Sequence, residues 1–329
     1  MKLSPSVAAL AAGDLGRWSG RFARAGWVCG EAAPGTLSLC RGGGDRVRVL
    51  LSVGVHGDET APVEMLAGLL DGFANAPNAL AVDLMIAVGN PPAIAAGKRF
   101  VEADLNRMFR VDRGELEATA EARRADAIIA AVEAFFGGPS QAWMWHLDLH
   151  TAIRASKFPT FAVVPETVEG QRRAALLSLL GHGAIEAAIF NPARAGTFSA
   201  WSARHFGALS ATLELGRIGH LGRNDMTQLA PVRQALGDFL ASGRVPPGST
   251  RPRLFRVARE LIKHSENFRP HFGPETANFS PFTPGALIAE DGEVVYRAGD
   301  QVEYIVFPNP EVRVGLRAGL MAVSLDAEA

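Results

Sequence analysis

The chain of 329 residues has only two cysteines, Cys29 and Cys40, and two tyrosines, Tyr296 and Tyr304. The cysteines have no C-x-x-C spacing and no partner cluster, so they form no disulfide framework and no thiolate zinc site. They read as buried or free thiols of a reducing compartment. No apolar run reaches the roughly 18–20 residues needed to cross a bilayer. An excess of one charge is also lacking: the net charge is -1, with acidic and basic residues scattered rather than grouped. Without a basic stripe, nucleic acid and anionic membranes are excluded as partners. Two common catalytic signatures are missing as well. "GNPPAIAAGKRF" lacks the first glycine of a P-loop and has Arg99 where Ser or Thr is required. No G-x-S-x-G elbow occurs. There is no internal repeat and no low-complexity segment.

The composition is 48% hydrophobic and 20% charged, that of a soluble globular protein, and the length suits one large domain plus a smaller one. Nothing in it excludes a homo-oligomer. The N-terminal "MKLSPSVAALAAGDLG" is faintly like a signal peptide, but Pro5 interrupts it, and Ser4-Pro5 reads better as a helix start. The cytoplasm is the expected location.

Along the chain, "DRVRVLLSVGVH" becomes continuously apolar and ends at His56, the pattern of a buried strand. "ETAPVEMLAGLLDGF" follows at helical spacing. "ALAVDLMIAVGNPP" and "WMWHLDLHTA" are further buried strands, with the amphipathic "ELEATAEARRADAIIAAVEAFF" between them. Strand-like "KFPTFAVVP", "GAIEAAIF" and "LSATLELG" come next, together with the helical "EGQRRAALLSLLG". Strands alternating with helices predict an α/β fold with a mixed, mostly parallel sheet sandwiched by helices. Near residue 245 the texture changes to the Pro/Gly/Ser-rich "SGRVPPGSTRPRLF", after which long helices are scarce. The expected organisation is a catalytic domain over 1–245 and a smaller β-rich C-terminal domain over 246–329.

Open α/β sheets bind ligands at the carboxyl ends of their strands. His56 is expected at such a strand end and Glu59 at the opening of the next helix, so both side chains can converge. Alternation in "WHLDLH" sets His146, Asp148 and His150 on one face, with His150 at the tip. A His/Glu/His set leaves a tetrahedral zinc one open position for water, the arrangement of a catalytic site. The His-x-x-Glu spacing alone also arises from helix capping or surface pairing; the second strand-terminal histidine is what points to a metal. His146, lower in the strand, reads as a sheet-face histidine. Asp148 is expected to orient a ligating imidazole, because an unpaired buried carboxylate is costly. Glu214 interrupts an apolar strand near its end and is the candidate base, its pKa raised by burial; pairing with Arg217 is the alternative. Arg99, Asn106, Arg107, Arg154 and Arg204 flank these segments, and guanidinium forks suit carboxylates, which predicts a small anionic substrate.

"VGVHGDE", "GNPPA", "GKRF", "DLNRMF", "WHLDLHTAIR", "SARHFGALSATLELG" and "FPNPEVRVGLRAGLM" together resemble the succinylglutamate desuccinylase family, in the aspartoacylase-like branch of the zinc carboxypeptidase fold. The resemblance runs from about Leu51 to the C-terminus. It implies hydrolysis of N-succinyl-L-glutamate to succinate and glutamate, the last step of the arginine succinyltransferase route. It implies one zinc ion per subunit on His56, Glu59 and His150, with Glu214 as acid/base. Arg99 falls beside the scissile carbonyl, and Asn106 and Arg107 fall where the family grips a substrate carboxylate. Arg204 matches a substrate-side arginine by its offset from Glu214, and Arg154 is expected at the succinyl carboxylate. Aspartoacylases carry a tyrosine four residues before the Arg204 position; here it is Ala200, which fits a bulkier acyl group. A related acyl-amino-acid hydrolase such as an aspartoacylase is the nearer alternative. A non-enzymatic anion- or partner-binding protein on the same scaffold is the farther one.

Overall fold

The protein is described from a computed structural model covering residues 3–42, 45–137, 142–167, 169–192 and 196–326. Its elements begin with α1 (Pro5–Ala11), α2 (Gly16–Arg24), β1 (Val28–Gly30), β2 (Thr36–Cys40) and β3 (Arg48–Val53). Then come α3 (Ala61–Asn75), β4 (Asp83–Val88), α4 (Pro91–Ala96), α5 (Ala120–Phe136), β5 (Met144–Ala152) and β6 (Thr160–Pro165). α6 (Gly170–His182), β7 (Ala187–Asn191), α7 (Phe198–Phe206), β8 (Leu209–Arg217) and α8 (Ala230–Ser242) complete the alternating region. The rest is strands: β9 (Arg253–Ile262), β10 (Arg269–Pro270), β11 (Ser280–Phe282), β12 (Leu287–Asp291), β13 (Val294–Arg297), β14 (Glu303–Val306) and β15 (Arg317–Ser324).

Twelve of these strands form one mixed sheet in the order β1-β2-β4-β3-β5-β8-β6-β7-β9-β15-β14-β11. β4, β3, β5 and β8 run parallel in its middle, so their carboxyl ends meet at one edge. β6 turns antiparallel to β8, and β15 antiparallel to β9. β10, β12 and β13 make a separate small sheet. This is the α/β sandwich that the alternation of buried strands and helices predicts. The C-terminal β-rich region continues the main sheet through β9, β15, β14 and β11. No helix among the described residues is long and apolar enough to cross a membrane.

Period-two alternation decides the two layers. Val49, Leu51 and Val53, with Trp145, Leu147, Leu149, Ala211, Leu213 and Leu215, point to one face and join an apolar core with residues of α3, α6 and α8. The other face is covered by α5 and α7, where Ile128, Val132, Phe198 and Trp201 pack on Leu50 and Met85. On that second face the central strands are polar in register: Asp148 lies between Ser52 and Thr212, His146 beside Ser210, and His150 beside Glu214.

The N-terminal helices close the apolar layer. Ser4 Oγ accepts from Val7 N at 3.2 Å, and Pro5 occupies the first turn of α1, the helix start read from Ser4-Pro5. Asp71 of α3 accepts from the Trp18 indole at 2.9 Å and from the Ser6 hydroxyl, so both helices are bolted to one half-buried carboxylate.

The turn from β3 to α3 needs a glycine. A Cβ on Gly57 would stand 2.2 Å from the Ala93 carbonyl carbon and 2.3 Å from Ile94 N, both backbone atoms of α4 that cannot swing aside. Gly57→Ala is expected to cost about 1–3 kcal/mol as an overpacked site. The measurement is the shift in urea midpoint, and an unchanged midpoint would show that the turn is not pressed against α4.

Candidate metal centre

β3 ends at Val53 and α3 begins at Ala61, so His56 and Glu59 both lie in the connecting turn. This corrects the expectation that His56 ends the strand and Glu59 opens the helix. The turn is held instead by a bridge between Glu59 and Gly219 and by Thr60 Oγ1 donating to the Gly219 carbonyl at 2.8 Å. His150 arrives from the adjacent strand β5 near its carboxyl end. His56, Glu59 and His150 are all buried, at 4%, 3% and 2% exposure, so none is explained as a surface pair.

Glu59 joins the two imidazoles. Its Oε1 lies 2.7 Å from His56 Nδ1 and its Oε2 lies 2.8 Å from His150 Nδ1. Thr151 N donates to Oε2 at 3.1 Å, and Arg99 Nη1 donates to Oε1 at 2.9 Å. Burial alone would push the Glu59 carboxyl up, but the two imidazoles outweigh it and hold the group well below the usual carboxylate range. Burial would likewise depress the histidines. Asp148 and Glu59 instead hold His150 well above an ordinary imidazole, and Glu59 and Asp104 hold His56 up.

These donors fit a divalent cation. Asp148 Oδ2 stands 2.9 Å from His150 Nε2, the carboxylate–histidine arrangement that gives Nε2 the proton and leaves Nδ1 for a metal. Glu59, Asp104 and Asp148 gather carboxylates around the two imidazoles, with Arg99 the guanidinium ion-paired to the group, so with neutral imidazoles the cluster carries an excess of negative charge that a divalent cation would offset. The ligand atoms of His56, Glu59 and His150 lie within 4.8 Å of one another, and two imidazoles with a carboxylate is a set that suits zinc. His146, by contrast, points to Ser52 and Ser202 and is no part of the group.

Glu214 stands beside His150 on β8, 7% exposed, with no hydrogen bond to its Oε2. Burial, reinforced by the Glu59 carboxylate, pushes its carboxyl up to about 7 against the pull of His150, His56 and Arg99. The alternative pairing of Glu214 with Arg217 is not among the ion pairs of the described residues, and Arg217 is exposed at the end of the strand.

The basic residues divide. Arg99 is at the group, its Nη1 donating to Glu59 Oε1 and its Nη2 3.0 Å from His56 Nε2. Asn106 is buried; its Oδ1 accepts from Phe198 N at 2.9 Å, which fixes the start of α7 against this loop, and Arg107 is exposed beside it. Arg154 donates through Nη1 to the Pro274 carbonyl of the C-terminal region. Arg204 is not brought to the group. It is exposed in the last turn of α7, before β8 begins, whereas Glu214 lies five residues up that strand, roughly 17 Å along it. An equal offset in sequence does not place it beside Glu214, because helix and strand run in opposite directions between them.

Two residues that sequence reasoning missed hold the site. Asp104, only one residue before the Leu105–Arg107 turn, has Oδ1 3.1 Å from His56 Nε2; its place in "DLNR" was the available signal. Glu121, 2% exposed, accepts from Asn90 Nδ2 at 3.0 Å and from the backbone N–H groups of Val101, Glu102 and Ala103 at 2.8, 3.2 and 3.1 Å. It fastens the loop that carries Arg99 and Asn106, and nothing in its helical context marks it. A groove of about 430 Å³ between β2, β4 and α5 lies apart from all of these residues and brings no histidine or glutamate together.

Comparison with known proteins gives a consistent result. Residues 45–240 match the succinylglutamate desuccinylase/aspartoacylase catalytic domain, and residues 250–325 match the AstE/AspA barrel-sandwich hybrid domain. The chain is 43% identical over 279 residues to a succinylglutamate desuccinylase of Burkholderia orbicola, covering 84% of this chain and 81% of that one. It is 41% identical over 276 residues to the succinylglutamate desuccinylase of Erwinia tasmaniensis, covering 84% of each. Among solved structures, succinylglutamate desuccinylase from Vibrio cholerae superposes with a TM-score of 0.81 at 31% identity, covering 88% of this chain and 85% of that one. The one from Chromobacterium violaceum gives 0.79 at 31% identity, covering 92% of each.

Glu121→Ala removes the acceptor of four donors at once, a local loss of about 3 kcal/mol. Amide exchange over residues 99–107 should then accelerate on the order of 100-fold while the β3 and β5 amides hold. Uniform acceleration throughout the chain would show that Glu121 does not act locally on this loop.

Proposed function

Because the chain belongs to the succinylglutamate desuccinylase/aspartoacylase family, we propose that it hydrolyses N-succinyl-L-glutamate to succinate and L-glutamate as a zinc-dependent amidohydrolase. In this reading it performs the last step of the arginine succinyltransferase route, in the cytoplasm. The observation that carries the proposal is the juxtaposition of the buried His56, Glu59 and His150 donors with the buried carboxyl of Glu214 on the next strand.

Zinc, one ion per subunit on His56, Glu59 and His150, would supply a Lewis acid for the amide carbonyl and lower the pKa of a water. Glu214 takes a proton from the attacking water as its oxygen bonds to the succinyl carbonyl carbon. The same carboxyl then gives that proton to the glutamate nitrogen as the C–N bond breaks, so the amine leaves neutral. A carboxyl raised by burial suits both halves of this exchange, since it holds and yields a proton near neutral pH. Arg99 turns its guanidinium towards the oxygen on which charge develops. Asn106 and Arg107 hold a glutamate carboxylate, and Arg154 takes the succinyl carboxylate through the nitrogens not engaged by Pro274. Asp148 keeps the His150 imidazole in one tautomer.

Three outcomes test this. Glu214→Gln should retain one zinc per chain and lose about 10²- to 10⁴-fold in kcat; near-normal turnover would remove Glu214 from the mechanism. The base works only when ionised, so activity is lost as pH falls through its pKa. That pKa is raised from 4.5 towards about 7 by burial, and a neighbouring cation draws it partly back. The acid limb of kcat/KM is therefore expected between those values, and a limb below 4.5 would contradict the assignment. Finally, N-succinyl-L-glutamate should be turned over well ahead of N-acetyl-L-aspartate and of a peptide C-terminus in a side-by-side assay. A preference for N-acetyl-L-aspartate would move the chain to the aspartoacylase reading.

A further inference from the structure

Beneath the strand tips lies a column of polar side chains that the reaction itself does not use. Ser52, His146, Asp148, Ser202 and Ser210 are each 0% exposed. They sit on β3, β5, α7 and β8, on the sheet face that is otherwise packed with Phe198, Trp201 and Leu50. Five fully buried polar side chains in an apolar layer are costly unless every donor meets an acceptor, so their proton order can be worked out.

Asp148, as a carboxylate, can only accept. Ser52 Oγ lies 2.6 Å from Asp148 Oδ1, so the single Ser52 hydroxyl proton goes there. The Ser52 oxygen lies 2.8 Å from His146 Nε2 and, its proton spent, can only accept from it. His146 therefore carries its proton on Nε2. Burial holds this imidazole down to about 4, against the Asp148 charge, so it is neutral at pH 7 and Nδ1 is an acceptor. Ser202 Oγ, 2.7 Å from Nδ1, supplies that hydrogen bond, and Ser210 Oγ stands 2.9 Å behind it. The Ser199 carbonyl, 3.0 Å from Ser202 Oγ, is the competing acceptor. The run from Ser210 to Asp148 is thus polarised in one direction, towards the metal centre.

The end of the column does the positioning. With Oδ1 tied to Ser52, the other oxygen of the Asp148 carboxylate is held 2.9 Å from His150 Nε2, a close ion-pair contact outside hydrogen-bond geometry. That charge contact favours a proton on His150 Nε2 and leaves Nδ1 to face Glu59. We propose that Ser52 and His146 are positioning residues for the metal centre: they act through Asp148 to hold the ring of His150, and Ser202, with Ser210 behind it, supports His146 at its other ring nitrogen. This inference rests on the metal reading of His56, Glu59 and His150 given above.

The test uses the full chain and zinc, with affinity read by competition against a chromophoric chelator and the melting temperature of the metal-free protein read alongside. Ser52→Ala, which removes one oxygen and leaves the packing almost unchanged, should weaken zinc binding about 10- to 100-fold. His146→Leu should weaken it about tenfold, and His146→Gln, whose amide can again donate to Ser52, should bring it back to within about threefold of the original. kcat on N-succinyl-L-glutamate should follow the same order while KM stays within about twofold, because no substrate contact is removed. Loss of melting temperature in Ser52→Ala and His146→Leu with unchanged zinc affinity would overturn the proposal and leave the column as core filling only. If His146→Gln failed to recover affinity, the hydrogen-bond route would also be wrong. An unmodified chain that binds zinc but does not cleave N-succinyl-L-glutamate would end the substrate reading alone, and the affinity order would still decide this one. An unmodified chain that binds no zinc would end both.

Discussion

A carboxylate buried at 3% exposure is sustained only by partners, and Glu59 takes four of them from three segments. His56 comes from the β3–α3 turn, His150 and Thr151 N from β5, and Arg99 from the loop after α4. This one group therefore demands that β3 and β5 be neighbours, parallel and in register, since only then do a strand exit and a strand tip face each other. It also demands the Gly57 turn, which lets the chain pass against α4, and the Glu121 clasp, which delivers Arg99. The large apolar core supports these demands from below, and the polar site sits on top of it as a local exception.

The exception follows from parity. On β3, β5 and β8 one set of alternate residues is apolar up to the strand tips and belongs to the core with α3, α6 and α8. The other set brings Ser52, Asp148 and Thr212 side by side, with His150 and Glu214 a step higher. Aligned polar positions on three adjacent strands form a stack perpendicular to the sheet edge, with the reacting groups at the open end and hydrogen-bonded spacers below. Helix α7 caps the stack with Ser199 and Ser202 and is itself begun by Asn106 accepting from Phe198 N. The substrate-side loop and the buried column are thus joined through one short helix.

Much of this was legible in the sequence. A histidine and an acid at the ends of continuously apolar runs, as in "VGVHGDE" and "ATLELG", stand out because such runs tolerate polar residues only for a reason. The alternation in "WHLDLH" foretold that His146, Asp148 and His150 share a face. What stayed hidden depends on distance in space rather than along the chain. Asp104 reaches His56 across 48 residues, and Ser202 reaches His146 across 56. A serine in a strand or helix has no spacing that announces a buried partner. Arg204 was misplaced for the complementary reason: an offset counted along the chain ignores that α7 runs down the sheet while β8 runs up it. The C-terminal strands were visible as strands, but not that Asn278 would bond to Ala155 and Lys157, just past the exit of β5.

The central claim is that the buried His56, Glu59 and His150 donors bind the metal on which amide hydrolysis depends. Glutamate release from N-succinyl-L-glutamate, followed before chelation, after chelation and after zinc is returned, addresses it most directly. The account predicts that release stops in the chelated protein and resumes on addition of one equivalent of zinc. Metal-free protein that continued to release glutamate at the original rate would contradict it.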